Sequence, residues 1–220
     1  MSYKSCTCEK MPDLFSDFPV ALGSDVRPVS QGSEVRAVAA QETPKRIKLY
    51  EVLYCDPPWS YNNKATRATA ENHYPTMNLQ DIKDLHIPAA DNSILFLWAT
   101  ATLLPEALQV MTTWNFTYKT CAIWDKEIIG LGNYFRIQHE ILLIGIKGKF
   151  PCPDPGNRFS SVIRERRTKH SQKPVRAYEL IERMYPGCSK IELFARSLRP
   201  GWTSRGNEID NNNLIGGNVL

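Results

Sequence analysis

The run Tyr50-Glu51-Val52-Leu53-Tyr54-Cys55 is almost continuously apolar and breaks off at Asp56-Pro57-Pro58-Trp59. A strand buried on both faces needs such a run, and the interior of a parallel sheet is where that burial occurs. Two consecutive prolines cannot continue a central strand, so the chain must turn at this point. The sequence therefore sets a carboxylate, Asp56, at the carboxyl end of a buried strand. In open α/β sheets, ligands bind beyond those ends.

Further strand-length runs follow at residues 94–98, 116–124, 140–147 and 191–195. Helical patterns lie between them. Residues 78–85 read as a short helix, with Asn78 as cap and Asp81 three positions on. Residues 103–114 carry Leu104, Leu108 and Met111 on one stripe, with Pro105 in the first turn, where it is tolerated. Pro174 opens a third helix bearing Val175, Tyr178, Leu180, Ile181 and Met184, and Pro186-Gly187 stops it. Asn92-Ser93 reads as a turn into the second strand, and residues 162–167 as a short edge strand. Residues 127–135, with Gly130, Gly132 and Asn133, read as loop, and residues 150–159 as irregular. One more patterned piece falls within residues 196–207. This alternation predicts an α/β, Rossmann-like fold with a mostly parallel sheet and helices on both faces. Residues 1–44 lack a periodic pattern and read as an N-terminal arm before a domain over 45–220.

With 220 residues, 42% of them hydrophobic and 23% charged, the chain can build a core without disulfides and is not broadly disordered. Its apolar runs have strand length, so no membrane span and no secretory leader is expected. The six cysteines offer neither a disulfide framework nor a zinc spacing, which points to a reducing cytoplasm and no metal. A net charge of +4 permits a polyanionic partner without requiring one.

Asp56 and the Pro57 carbonyl form a pair of acceptors suited to an amino group, because the prolines limit the carbonyl's movement. If that amine lies in conjugation with a ring, its lone pair is delocalised and it is a weak nucleophile. Acceptors that strengthen as the nitrogen becomes tetrahedral favour its attack over its resting state. Trp59 can stack on a flat ring. The alternative is that Asp56-Pro57-Pro58-Trp59 only ends a strand.

Several ordered motifs accompany this one: Tyr74-Pro75-Thr76-Met77, Leu95-Phe96-Leu97-Trp98, His139-Glu140 through Ile144-Gly145-Ile146-Lys147-Gly148, Lys173-Pro174, Pro186-Gly187, Lys190-Ile191-Glu192-Leu193-Phe194-Ala195-Arg196, Trp202, and Gly206-Asn207-Glu208. In this order, over residues 50–210, the sequence resembles the MT-A family of adenine-N6 methyltransferases, and in size its small bacterial and phage members. The resemblance implies a seven-stranded S-adenosylmethionine-dependent methyltransferase sheet with permuted motif order, the catalytic motif preceding the main cofactor strand. It implies site-specific methylation of adenine N6 in DNA. Asp56, Pro57, Pro58 and Trp59 would be catalytic. Asp56, Lys173, Phe194, Arg196, Asn207 and Glu208 would bind S-adenosylmethionine, Lys173 through its carboxylate and Arg196, Asn207 and Glu208 around its ribose. The chain departs from the family in having Glu208 where an amide is common and Ala195 where a glycine usually precedes the arginine.

Substrate contact is expected from Tyr61, Asn62, Lys64 and Arg67 in the loop after the catalytic motif, from His139, and from Arg166 and Lys169 in a basic cluster with Arg164, Arg167 and His170. The bland alternatives are a polar loop, a structural histidine and a solvated strand edge. The partner implied is nucleic acid, DNA rather than RNA, with the protein a monomer or homodimer, or joined to a partner subunit. RNA N6-adenosine methylation and a non-catalytic nucleic-acid-binding subunit are the competing readings, and cytosine N4 is the competing amine.

Overall fold

The computed structural model describes residues 48–60, 76–168 and 172–206. Strand β1 is Tyr50–Cys55, and it pairs in parallel with β2 (Ala89–Ala99) on one side and β6 (Lys190–Leu193) on the other. Both of its edges are thus paired, and its side chains are buried on both faces of the sheet, which is why its sequence is apolar almost throughout. β3 (Thr117–Asp125), β4 (His139–Lys147), β5 (Val162–Arg164) and β7 (Thr203–Arg205) complete a seven-stranded sheet of order β5-β3-β4-β2-β1-β6-β7. β4 runs antiparallel to both of its neighbours, β2 and β3, and every other pairing is parallel. The sheet is mostly parallel, as expected, with one reversed strand.

Alternation along β1 divides the core. Leu53 and Cys55 face one side, with Leu95, Leu97 and Leu143. Helices α1 (Leu79–Lys83) and α2 (Leu104–Thr113) cover that side through Ile82, Ala107, Val110 and Met111. Val52 and Tyr54 face the other side, with Phe96, Trp98 and Trp124, beneath Ala177 and Ile181 of α3 (Val175–Met184). Helices therefore lie on both faces. Trp98 and Trp124 are core residues, meeting edge to face at 6.1 Å between ring centroids.

The cap at Asn78 forms as its sequence suggests: its side chain accepts the Asp81 backbone N–H at 2.9 Å. Helix α3 receives a different cap. The Glu165 carboxylate, from beyond β5, accepts the Val175 and Arg176 N–H groups at 3.0 and 2.9 Å. A negative charge at a helix N-terminus is favourable, and here it ties the β5 segment to α3.

Three expectations are corrected. Asn92-Ser93 does not turn the chain before the second strand. It lies inside β2, where the pairing with β1 jumps from Tyr50↔Ala89 to Val52↔Ile94. The extra residues are held by one local and one distant bond, Ser93 Oγ donating to Ala90 O and Asn92 Oδ1 accepting from Lys149 N–H. β5 stops at Arg164 rather than 167. β6 stops at Leu193 rather than 195, because Phe194 takes a left-handed backbone, φ 64°. The patterned piece in 196–207 is β7, which pairs with β6.

Candidate active site

β1 delivers Asp56 to the carboxyl end of the sheet. Beyond it the backbone is stitched: Trp59 N–H donates to Pro57 O at 2.8 Å, Met77 N–H to Pro58 O at 2.8 Å, and Ser60 N–H to Met77 O at 3.1 Å. The prolines and these bonds fix the turn. The Pro57 carbonyl thus already accepts one bond, and its second lone pair remains for another donor. Trp59 is anchored, its Nε1 donating to Trp98 O at 3.0 Å, and it packs against the α1–α2 side of the core.

The reversed strand supplies what β1 lacks. Because β4 runs the other way, its first residues arrive at the same end of the sheet as Asp56. Lys173, just before α3, bonds Asp56 Oδ1 at 2.8 Å and Glu140 Oε2 at 2.8 Å. Lys126 bonds the other Glu140 oxygen at 3.4 Å. All four side chains are largely buried, 12–18% exposed. Burial pushes the Asp56 carboxyl above its usual range; Lys173 opposes that push, and Glu140 adds to it. Glu140 is also penalised by burial, but two lysines outweigh the penalty and hold it below its usual range. Lys173, penalised by burial too, is driven well up by its two carboxylates and stays protonated. A lysine has three N–H donors, so one remains for a ligand.

Around this clamp lies a cleft lined by Asp56, Lys173, Tyr178, Glu192, Phe194 and Arg196, together with the 197–200 segment. Its outer wall is braced to α3. Arg199 makes a fork on Glu182, at 2.6 and 2.9 Å, and Trp202 Nε1 donates to Glu182 at 2.7 Å. Phe194 enters the lining through its left-handed backbone, a conformation that persists only where surroundings enforce it. The site's backbone freedom is thus needed at Phe194 rather than at Ala195, whose N–H donates to Arg205 O at 2.9 Å. Ala195 is approached so closely that a Cβ on Gly206 would stand 2.1 Å from its carbonyl oxygen. Glycine is required at 206, not at 195.

Of the expected site residues, Asp56, Lys173, Phe194 and Arg196 share this cleft. Pro57, Pro58 and Trp59 form its adjoining turn. His139 stands opposite Asp125 in the β3–β4 ladder, beside Glu140 but outside the lining. Arg166 is exposed, in a segment whose Glu165 and Arg167 N–H groups donate to Asp125 O and Lys126 O. Tyr61, Asn62, Lys64, Arg67, Lys169, Asn207 and Glu208 lie outside the described residues, as does the arm over 1–44.

Two acids within the quoted motifs carry no expected role from the sequence, Glu140 and Glu192. Glu192 lies in β6 beside Tyr54, 7% exposed, and accepts the Tyr178 hydroxyl at 2.7 Å. Burial pushes its carboxyl from 4.5 to about 7; the Tyr178 bond opposes this, and Asp56 adds to it. A carboxyl raised in the folded state stabilises the fold below its unfolded value and loses that contribution as pH rises through the folded one. Between about pH 4.5 and 7 the protein therefore loses about 3 kcal/mol on account of Glu192. Glu192→Gln keeps an acceptor for Tyr178 and removes the charge. Thermal unfolding is expected to place the variant above the wild type at pH 8, with the gap closing near pH 4.5. An unchanged gap across that range would show that Glu192 does not titrate there.

This donor set suits an amino-acid-bearing cationic ligand: carboxylates for an ammonium or sulfonium, and a lysine and an arginine for a carboxylate or hydroxyls. The MT-A70 family model matches residues 50–208, from the start of β1 past Gly206. The Type II methyltransferase M.MunI of Mycoplasma sp is 35% identical over 188 residues, 76% of this chain and 81% of that protein. The human N(6)-adenosine-methyltransferase catalytic subunit METTL3 is 30% identical over 182 residues, 78% of this chain and 30% of that protein. The Drosophila melanogaster N(6)-adenosine-methyltransferase MT-A70-like protein is 30% identical over 177 residues, 76% of this chain and 28% of that protein. The match runs through the strand that presents Asp56, the reversed strand that presents Glu140 and the cleft between α3 and β6, so this chain belongs to the MT-A70 family of methyltransferases.

Proposed function

We propose that this protein transfers a methyl group from S-adenosylmethionine to the exocyclic N6 of adenine in DNA. The observation that carries the reading is the buried clamp in which Lys173 holds Asp56 at the end of β1, beside the fixed Pro57 carbonyl. S-adenosylmethionine, when bound, supplies an electrophilic methyl group on a positively charged sulfur. Lys173 and Arg196 suit its carboxylate and hydroxyls, and Asp56 and Glu192 suit its positive charges. Asn207 and Glu208 complete the proposed ribose contacts.

Asp56 and the Pro57 carbonyl accept the amino hydrogens of adenine. As positive charge develops on N6, both bonds strengthen, which lowers the barrier without tightening ground-state binding. Lys173 and the stitched turn keep the acceptors in place, so little reorganisation is needed. The amino proton leaves after transfer, through Asp56 or to water. Trp59, anchored on Trp98, lies next to this pair and walls the base pocket. Tyr61, Asn62, Lys64, Arg67, Arg166 and Lys169 are proposed to hold the strand, and His139 the rim.

DNA is preferred to RNA because the resemblance is to small members of the family. The chain also covers most of a bacterial type II methyltransferase but under a third of the eukaryotic N6-adenosine enzymes. A cytoplasmic setting in a bacterium or phage-infected cell accompanies that choice, as does a monomer or homodimer. No helix among the described residues is long and apolar enough to cross a membrane.

The test is methyl transfer from labelled S-adenosylmethionine to double-stranded DNA, single-stranded DNA and RNA, with the products digested to nucleosides. Label in N6-methyldeoxyadenosine is the expected result. Label confined to N6-methyladenosine from RNA would reverse the polymer, and N4-methyldeoxycytidine would reverse the base.

A further inference from the structure

The connection between β3 and β4 carries the four most exposed large apolar side chains among the described residues. Tyr134 is 98% exposed, Phe135 86%, Leu131 81% and Ile129 61%. Single exposed apolar residues are ordinary, but four within seven positions on one loop form a patch.

The loop is built to keep them there. Lys126 N–H donates to Gln138 O at 2.9 Å and closes its root; Gly130 N–H donates to Ile137 O at 3.0 Å, and Ile137 N–H to Leu131 O at 3.1 Å. Arg136 Nε donates to Gly130 O at 2.5 Å. A Cβ on Gly132 would stand 1.9 Å from Phe135 O, and one on Gly130 2.6 Å from Ile137 O. Only glycine permits so tight a finger. The backbone that carries its aromatic tip is therefore set in advance and loses little freedom on binding.

Its root stands in the candidate active site. Lys126 shares Glu140 with Lys173, and Lys173 holds Asp56. Arg167 N–H donates to Lys126 O and lays the 164–167 segment against the root, with Arg164 and Arg166 exposed. Glu165, the acid within that segment, is occupied by the N–H groups of Val175 and Arg176. The finger is thus apolar and aromatic at its tip, and at its flank the exposed Arg136, Arg164 and Arg166 outnumber the exposed acid Glu127. That combination suits stacked bases bordered by phosphates. It suits a second copy of the chain poorly, because a two-fold contact through the finger would bring two basic flanks together.

The proposed reaction supplies a task for it. The Asp56 side chain is only 18% exposed, so adenine within a base stack cannot present N6 to it. The base must leave the stack, and the gap must be kept open. We propose that the finger is a wedge for duplex DNA, in which Tyr134 and Phe135 enter the base stack beside the target adenine while Arg136, Arg164 and Arg166 take the neighbouring phosphates. This rests on the DNA reading above.

The test compares the wild type with the Tyr134→Ala/Phe135→Ala double variant on double- and single-stranded DNA of matched sequence. Transfer is followed from labelled cofactor. Opening is followed by permanganate oxidation of thymine, which attacks the partner left unpaired when adenine is extruded. S-adenosylmethionine affinity and the unfolding temperature serve as controls, and both should be unchanged because the replaced rings touch solvent. The expected result is a loss of about tenfold or more on duplex. Transfer to single strands should hold within about twofold, and the thymine signal should disappear. An unmoved duplex-to-single-strand ratio in an active wild type would sink the wedge alone. A wild type that uses no DNA would sink the DNA reading and the wedge with it. A dimer that becomes monomeric in the variant, with transfer per protomer unchanged on both substrates, would assign the finger to a protein contact instead.

Discussion

Asp56→Ala is expected to lower methyl transfer by about a thousandfold while the protein stays folded. In the proposed reaction the carboxylate has two tasks that conflict. It must accept a bond from a nitrogen that turns positive, and it must sit in a place shielded from water, where burial works against its own charge. Removing it takes away the acceptor that strengthens most as the reaction proceeds. It does not orphan Lys173, because Glu140 still lies 2.8 Å from the same nitrogen. A raised carboxyl value in the folded state also means that ionised Asp56 costs the fold stability at neutral pH, so its loss should leave the unfolding temperature level or higher. Initial rates at saturating S-adenosylmethionine, with an unfolding curve on the same preparation, decide the matter. Activity within tenfold of wild type would remove Asp56 from the chemistry.

Lys173→Met carries the second large effect, and it falls on stability first. Two largely buried carboxylates, Asp56 and Glu140, would lose the cation they share, and Glu140 would keep only the longer 3.4 Å contact to Lys126. Breaking a buried ion pair from one side costs about 3–5 kcal/mol. The pH dependence identifies the cause. Without the lysine both carboxyls move up in the folded state, so the penalty is absent when they are protonated and grows as pH rises through their folded values. The deficit against wild type should be largest near pH 8 and shrink toward pH 4. Glu140→Gln added to Lys173→Met should recover part of it. A deficit of the same size at every pH would mean that lost packing against Trp98, whose ring lies 5.4 Å from the Lys173 nitrogen, is the dominant cost.

The contrast between these variants follows from how the site is assembled, and that also explains what the sequence could disclose. β1 and its turn were legible because apolar continuity followed by two prolines admits few other readings. Lys173, Phe194 and Arg196 were reached only through resemblance; no spacing links positions 56, 173 and 196. Glu140 and Glu192 left a signal that went unread. Glu192 stands between Ile191 and Leu193, and Glu140 opens the run Ile141 to Ile146; an unpartnered carboxylate is expensive at either place. Glu140 is accordingly held by two lysines, and Glu192 by Tyr178. The reversal of β4 was not read from the sequence, and only the lack of a helix in its connection, not that connection's length, hinted at it. Parallel neighbours need a crossover of a dozen or more residues, usually a helix, whereas residues 126–138 carry two close-turning glycines and no helical pattern. The three corrected boundaries have a common cause: a bulge within β2, the ladder lost after Arg164, and the left-handed residue at Phe194 are set by tertiary pairing, which local pattern does not record.

The placement of β1 between β2 and β6 has a consequence for how this protein comes into being on the ribosome. Its earliest strand among the described residues is an interior one, fifth in the sheet order, and Glu51 waits for Ser189, 138 positions later, before that side of it is closed. At ordinary elongation rates this interval is roughly seven to thirty seconds. During it the nascent chain can zip β1 to β2, yet it still offers an apolar ribbon with a free row of peptide groups to any passing strand. The vulnerable species is therefore not the finished protein but its nearly finished precursor, and a premature stop codon before Lys190 releases a chain in which that edge of β1 stays open.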